Sequence, residues 1–172
     1  IDEEGAAAYI ADTGNSCIRK LNLTDNNVST VFLNPDELRE PKGVVVHQST
    51  LYVTDWMGQR IVAIDIETGS MWPIAGALSN SGDRDGEDPR FRRPTGIALY
   101  GGNLASPGDQ YLIVSERGSK ATGPVNRIRN VRITDGYTQT LAGGENTTNP
   151  PYTDGTGSTA GLYGSHLDLS PS

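Results

Sequence analysis

The order of apolar and polar residues predicts the same two-strand unit three times along the chain. In each copy, an apolar run ends at an acidic residue, a polar turn follows, and a second run alternates apolar and polar positions. Two such runs joined by a turn that contains glycine are typical of a β-hairpin. The predicted hairpins span 9–21, 52–64 and 112–131. Because one hairpin cannot bury its own faces, repeated hairpins must pack against their neighbours.

Two more strands flank the second and third hairpins. A Pro-x-Gly sequence and an apolar run precede them, at 41–46 and 94–99, and a segment that ends in Ala-Gly follows, at 71–76 and 140–144. Each unit therefore has four strands, named A to D in chain order, of which B and C form the hairpin. Four-stranded units that repeat every forty or so residues are typical of propeller blades. We predict an all-β chain, a β-propeller of four-stranded antiparallel blades.

These motifs resemble the NHL-repeat β-propeller family. Its repeat reads as Pro-x-Gly, a hairpin with Asp-x-Gly-Asn in its turn, a strand that ends in Ala-Gly, and an Asp-Gly loop before the next Pro-x-Gly. The first hairpin is the best match, and Asp-Gly loops stand at 85–86 and 154–155. The third hairpin departs from the pattern, with Ser115 and Glu116 in place of Ala-Asp and a longer turn at 117–124. The resemblance covers essentially the whole chain.

The resemblance implies one propeller segment over 1–172. Strands B to D of the first blade fall in 1–40, the second blade in 41–93, the third in 94–164, and strand A of the next blade in 165–172. That amounts to roughly half of a six-bladed ring. An open arc would leave strand edges unpaired. We therefore expect either a fragment of a longer propeller, whose first residues enter partway through a strand A, or a homodimer that completes a six-bladed ring.

Charge narrows the choice of partner. The chain has 14 Lys and Arg against 21 Asp and Glu, a net charge of -7. This balance repels a phosphate backbone, so a nucleic acid partner is disfavoured and a protein partner is preferred. Arg92, Arg93 and Arg117 would form a local basic patch. The alternative is a solvated surface of mixed charge, since acidic residues precede the first two. No stretch is long and apolar enough to span a membrane.

The second hairpin turn carries residues that folding does not require. Trp56 and Met57 stand where the first turn has Thr13 and Gly14. An aromatic ring and a thioether at a loop tip are typical of a binding hot spot, although the Trp56 ring can instead pack on the adjacent blade. Since B–C turns and D–A loops emerge at one end of a blade, we predict a common face with the loop 78–93. The candidate binding face is Trp56, Met57, Arg92, Arg93 and Arg117.

Several carboxylates admit a chemical and a structural interpretation. Asp83, Asp85 and Glu87 resemble half of a calcium loop, but the distal glutamate of such a loop is absent, which favours a blade-connecting turn. Three other acidic residues end strand B in each copy. We predict that they accept backbone N–H groups of their own turns and serve as structural turn residues. They are Asp12, Asp55 and Glu116.

Two function classes follow. The first is a non-catalytic binding scaffold that presents propeller-face loops to a protein or other macromolecular partner, with no cofactor and no catalytic residue in this chain. The alternative is a propeller enzyme, such as an NHL-like lyase or a strictosidine-synthase-like or lactonase-like hydrolase, whose metal site lies largely in other blades. Such sites need His and carboxylates from several blades, and the chain has 2 His and 1 Cys.

Three sequons bear on the compartment. Asparagines 22, 27 and 146 each begin an Asn-x-Ser/Thr sequence, the acceptor pattern for N-glycosylation in secreted proteins. About two such matches are expected by chance at this composition. The sequons lean slightly towards a secretory or cell-surface origin, and the compartment stays open.

Overall fold

The computed structural model of the protein describes residues 1–2, 5–101, 109–118, 126–144, 155–157 and 162. These residues form three antiparallel sheets. The first sheet contains β1 (Ala7–Asp12), β2 (Cys17–Asn22) and β3 (Val28–Leu33). The second contains β4 (Pro41–His47), β5 (Thr50–Asp55), β6 (Arg60–Asp65) and β7 (Met71–Gly76). The third contains β8 (Pro94–Tyr100), β9 (Tyr111–Glu116), β10 (Arg127–Arg132) and β11 (Thr138–Gly143).

Each sheet is a meander in which strands that follow one another in sequence are hydrogen-bonded neighbours. Apart from a 3₁₀ turn at Thr13–Asn15, the described part of the chain has no helix. The all-β prediction is therefore confirmed for these residues. The sequence also predicts that the chain starts in a strand, but residues 1 and 2 do not form one. Among the described residues the first sheet therefore has three strands. The predicted strand at 165–172 lies outside the described residues.

The strand registers repeat from sheet to sheet. The acidic residue that ends each predicted strand B pairs with the first residue of the next strand, as Asp12 with Cys17, Asp55 with Arg60, and Glu116 with Arg127. An irregularity also recurs in the pairing of the last two strands of every sheet, after Ile18, Ile61 and Ile128. Because register follows from turn geometry and from which face is buried, these matches mean that the three sheets are copies of one unit.

The turns between the last two strands of each sheet also share one conformation. Asn26, Gly69 and Gly136 occupy the same position and all have positive φ, at 61°, 67° and 73°. The N–H of each donates to a carbonyl four residues earlier. Glycine and asparagine adopt this left-handed backbone at low cost, which explains why these two residue types stand there.

Two apolar clusters hold the sheets face to face. One lies between the first and second sheets and consists of Ile18, Phe32, Leu38, Leu51, Val53, Val62 and Ile64. The other lies between the second and third sheets and consists of Tyr52, Ile61, Ala63, Ala75, Phe91, Ile97, Leu112, Val114 and Val131. Successive residues of a strand point to opposite faces. β5 and β6 therefore send alternate side chains to both clusters, and the second sheet is buried on both sides.

The Pro-x-Gly motif marks a close approach between β4 and β8. A Cβ on Gly43 would lie 2.6 Å from the carbonyl oxygen of Thr95, so only glycine fits. The buried hydroxyl of Thr54 accepts the Gly43 N–H at 2.8 Å and donates to Thr95 O at 2.7 Å. In the third sheet the Gly96 N–H donates to the hydroxyl of Ser115 in the same way, at 2.8 Å. A buried hydroxyl thus joins the first two strands in both sheets, and in the second it also reaches the next sheet.

Leu38 tests how much the first apolar cluster contributes to stability. This side chain is fully buried, whereas Leu33, five positions earlier, is 63% exposed. We expect Leu38→Ala to lower the free energy of unfolding by about 2–5 kcal/mol through lost burial and a residual cavity. The matched control Leu33→Ala should change it by less than about 0.5 kcal/mol. Equal effects in urea denaturation would contradict the packing described here.

Candidate functional site

The predicted binding face centres on the ring of Trp56 in the turn between β5 and β6. The Lys42 ammonium lies 5.2 Å and the Arg93 guanidinium 5.1 Å from the centroid of this ring. Both distances are within the range of a cation–π attraction. Trp56 itself is half-buried, and Met57 next to it is 44% exposed. An aromatic ring and a thioether of the turn therefore lie together with two cations from other segments.

The backbone around Arg93 is held by hydrogen bonds. Its N–H donates to the Gln59 side-chain oxygen at 2.8 Å, and its carbonyl accepts the Arg117 N–H at 3.3 Å. Arg93 has a φ of 48°, unusual for a residue with a side chain. Glu40, which also precedes a proline and an inner strand, has a φ of 54°. The positive φ is therefore a feature of the connection between successive sheets. What distinguishes the candidate binding face at this position is the arginine side chain.

The loop before β8 approaches the same turn. The Ser79 N–H donates to the carbonyl of Gly58 at 2.9 Å, and the Ser79 hydroxyl accepts a hydrogen bond from the Arg39 guanidinium at 3.0 Å. The Met57 N–H in turn donates to the carbonyl of Arg39 at 3.0 Å. The structure thus brings Trp56, Met57 and this loop together at one end of the sheets.

The remaining predicted face residues are less closely placed. Arg117 is linked to this face by the hydrogen bond between its backbone N–H and the Arg93 carbonyl. The N–H of Arg92 instead donates to the Glu116 carboxylate at 2.8 Å, which draws its backbone inward. Arg92 is half-buried, whereas Arg117 is exposed.

Two of the three acidic residues that resemble half of a calcium loop are bound to arginines. Asp83 pairs with Arg127 at 3.2 Å, Asp85 pairs with Arg129 at 2.6 Å, and Glu87 is exposed. Within the described ranges no three His, Cys, Asp or Glu side chains converge as a metal site would need. The neighbouring Gly86 exchanges two backbone hydrogen bonds with Thr138, so this segment connects the loop to the third sheet.

A buried ion pair that sequence reasoning missed organises this connection. Arg129 on β10 is fully buried and contacts the Glu116 carboxylate at 3.0 Å. It also donates to the carbonyls of Arg90, at 3.1 Å, and Arg84, at 2.9 Å, and lies over the ring of Phe91. In the sequence this position is an arginine in the first and third copies, Arg19 and Arg129, and Val62 in the second. Arg129 joins the loop, β9 and β10 in one buried site.

The three predicted turn carboxylates differ in their partners. Asp55 is fully buried and accepts the N–H of Gly58 in its own turn at 3.2 Å, that of Arg39 at 2.8 Å, and Arg60 Nε at 3.0 Å. Glu116 accepts a backbone N–H from the preceding loop, that of Arg92 at 2.8 Å. Burial raises the pKa of both carboxyls, against the opposing effect of the arginines and the N–H donors.

Asp12 is only half-buried, and the bonds described for it come from side chains. The Asn15 amide donates to both of its oxygens at 3.0 Å, and Arg19 Nε lies at 3.4 Å. The thiol of Cys17, on the facing strand, contacts the same carboxylate at 3.7 Å. Burial, with the adjacent negative charge, raises the pKa of Cys17, which disfavours the reactive thiolate. A backbone N–H of the same turn is therefore bound at Asp55, while the bonds described for Asp12 come from side chains. Most of the turn after Glu116 lies outside the described residues.

Comparison with known proteins gives a likeness of fold alone. No protein-family model and no curated protein matches the chain. An auxiliary nutrient binding protein from Bacteroides ovatus ATCC 8483 is similar over 95% of this chain, with a TM-score of 0.71 and 17% identity. One from Bacteroides thetaiotaomicron VPI-5482 is similar over 79%, with a TM-score of 0.59 and 14% identity. The chain spans 40% and 33% of the lengths of these two proteins.

These structural neighbours are β-rich binding proteins, and at such low identity the likeness does not extend to their ligands. In the described part of the chain no helix has the length and apolarity needed to cross a membrane.

Arg129 tests the buried pair. We expect Arg129→Met to lower the free energy of unfolding by about 3–5 kcal/mol at neutral pH, because Glu116 is left buried without its partner. The folded-state pKa of Glu116 is already raised, and losing Arg129 raises it further. A carboxyl with a raised folded pKa costs stability as pH rises above the unfolded value of about 4.3. The deficit should therefore shrink as pH falls towards about 4.3.

The matched control is Arg132→Met, three positions further along the same strand. Its ion pair with Asp135 is between side chains that are 28% and 50% exposed, so its loss should cost less than about 1 kcal/mol. Denaturant titrations of both variants across the pH range provide the measurement. A deficit for Arg129→Met that is independent of pH would contradict the role assigned to Glu116.

Proposed function

We propose that this chain is a non-catalytic binding scaffold, built as part of an NHL-type β-propeller, that presents one end of its blades to a protein or other macromolecular partner. The observation that carries the proposal is the turn at Trp56 and Met57. An exposed thioether and a half-buried aromatic ring stand there, where the first sheet has Thr13 and Gly14. Clustered aromatic and apolar side chains on a surface favour partner binding.

The arrangement of the sheets supports the propeller part of the proposal. β4 contacts β8, so the A strands of the second and third sheets adjoin. The B strand of one sheet also contacts the A strand of the next, as β1 with β4 and β5 with β8. The sheets also stack face to face through the two apolar clusters. Blades around a common axis have these two properties. On this proposal the three sheets correspond to the blades at 1–40, 41–93 and 94–164.

The state of the buried carboxylates supports a non-catalytic role. Asp55 and Glu116 are the acidic groups whose burial raises their pKa, the property that general acids often share. Asp55 pairs with Arg60, and Glu116 pairs with Arg129. Each carboxylate is also hydrogen-bonded by backbone N–H. These carboxylates hold turns and loops in place, which accounts for their burial without a reaction.

Trp56→Ala tests the binding role, with Trp72→Ala as its matched control. Trp72 is 41% exposed on β7, outside the predicted face. On an array of acidic, basic, neutral polar and apolar peptides, we expect the fluorescently labelled chain to bind one class. Trp56→Ala should weaken that binding by about tenfold or more, and Trp72→Ala by less than about twofold.

A thermal melt separates binding from folding in this test. Trp56→Ala removes the contacts of Lys42 and Arg93 with the ring, which at an exposed site cost only about 0.5–1 kcal/mol each. A variant that melts much earlier than the parent and binds peptides unchanged would show that the ring serves packing. In that case the proposed function would be rejected.

The proposed propeller has two forms. The chain is either a segment of a longer propeller or one half of a homodimer that closes six blades. In the described residues the first sheet has three strands and the other two have four. On the homodimer form, a second copy supplies the fourth strand and pairs the free edge of β1. Light scattering should then give twice the chain mass of 18.3 kDa. A monomer with a cooperative melt rules out the homodimer form.

A further inference from the structure

Most arginines in this acidic chain are neutralised by a carboxylate. Within the described residues, seven lie within 4.0 Å of one: Arg19, Arg60, Arg84, Arg90, Arg127, Arg129 and Arg132. Arg39, Arg92, Arg93 and Arg117 form no such pair there, although acidic residues outnumber basic ones. On a surface of mixed charge, arginines ordinarily lie next to carboxylates. The location of these four unpaired arginines therefore indicates where an external anion could bind.

Three of the four unpaired arginines lie at the Trp56 turn, Arg93 through its side chain and Arg39 and Arg117 through their backbones. Arg93 lies over the Trp56 ring, Arg117 donates its N–H to the Arg93 carbonyl, and the Arg39 carbonyl accepts the Met57 N–H. Lys42 lies over the same ring and also pairs with the Glu40 carboxylate, at 3.9 Å. We call Arg39, Lys42, Trp56, Arg93 and Arg117 the Trp56 cluster. It is a local reversal of the sign of a protein whose net charge is -7.

The physical state of the Trp56 cluster calls for an anion. Cations held near one another repel, and the ring quadrupole offsets only part of that repulsion. A carboxylate that enters gains from every cation around the ring. The guanidinium of Arg93 can donate hydrogen bonds to both oxygens of one carboxylate in bidentate geometry, whereas Lys42 offers a point charge. The Trp56 ring adds apolar area against which methylene groups can pack.

We propose that the Trp56 cluster binds an acidic peptide segment of the partner, with Asp or Glu carboxylates on Arg93 and Lys42 and side-chain methylenes on the Trp56 ring. The proposal rests on the proposed function and specifies the chemistry of its partner. A nucleic acid fits less well. Beyond a Debye length of about 8–10 Å from the cluster, a long phosphate backbone meets the negative field of the rest of the surface. A short segment with a few carboxylates stays within reach of the cations.

Titration of Trp56 fluorescence tests this directly. The background variant Trp72→Phe leaves Trp56 as the sole tryptophan of the chain. The probes are a capped peptide of about ten residues that contains Glu, Asp, Leu and Gly, its Gln/Asn analogue, and an oligonucleotide of equal charge. We expect the acidic peptide to bind at least about tenfold more tightly than the neutral analogue, and to weaken as salt rises from about 50 to about 500 mM.

A double variant and its control isolate the two cations. Lys42→Gln with Arg93→Gln should weaken the acidic peptide by about tenfold or more. Lys20→Gln with Arg132→Gln removes the same charge from two other cations that lie over aromatic rings, those of Tyr9 and Tyr137. This control should change affinity by less than about twofold, since only long-range charge is altered.

The outcomes separate this inference from the proposed function. A neutral peptide that changes Trp56 emission as strongly as the acidic one, or equal losses in both double variants, overturns the acidic segment while leaving the binding scaffold standing. Tighter binding of the oligonucleotide overturns the acidic segment in favour of a nucleic acid. If no peptide and no oligonucleotide changes Trp56 emission, the proposed function fails together with the inference.

Discussion

Burial of the second sheet on both of its faces is the constraint on which the rest of this structure depends. Val62 and Ile64 face the first sheet, while Ile61 and Ala63 face the third. Each fully buried aliphatic side chain of this size contributes about 1.5–3 kcal/mol relative to its exposed state. Neither neighbouring sheet can be displaced without exposing such residues to water. The apolar composition of β6 is therefore a consequence of stacking.

Close stacking buries polar groups at the contacts between sheets. At each contact described here, these polar groups bind one another. Thr54 satisfies two backbone groups of adjoining strands through one hydroxyl. Asp55 and Arg60 flank the turn of the second hairpin, and Glu116 and Arg129 lie in the corresponding hairpin of the third sheet. An unpaired buried charge is far more costly than a paired one, so partners at these contacts depend on one another. Asp55 and Glu116 thus each have an arginine partner within the fold.

The face around Trp56 uses the same scaffold differently. Its turn has the same strand register as the first hairpin, and the backbone at Arg93 repeats that at Glu40. Only the side chains differ from what the repeat requires: Trp56 and Met57 are apolar, and Arg93 is a cation with no carboxylate partner among the described residues. A repeat protein can vary such positions at little cost in stability, because its stability resides in the interfaces between units. Binding specificity is expected at these positions.

The amino-acid sequence by itself determined the all-β class, the strand positions and the equivalence of the three units, since these depend on local periodicity and turn residues. Pro41 and Pro94 each begin an inner strand as the motif predicts. Tertiary structure alone decided the ion pairs and the composition of the Trp56 cluster. Arg129 takes its carbonyl partners 39 and 45 residues away, and Lys42 and Arg93, far apart in sequence, lie over the same Trp56 ring. Periodicity carries no information about such partners, because their distance depends on how whole sheets stack.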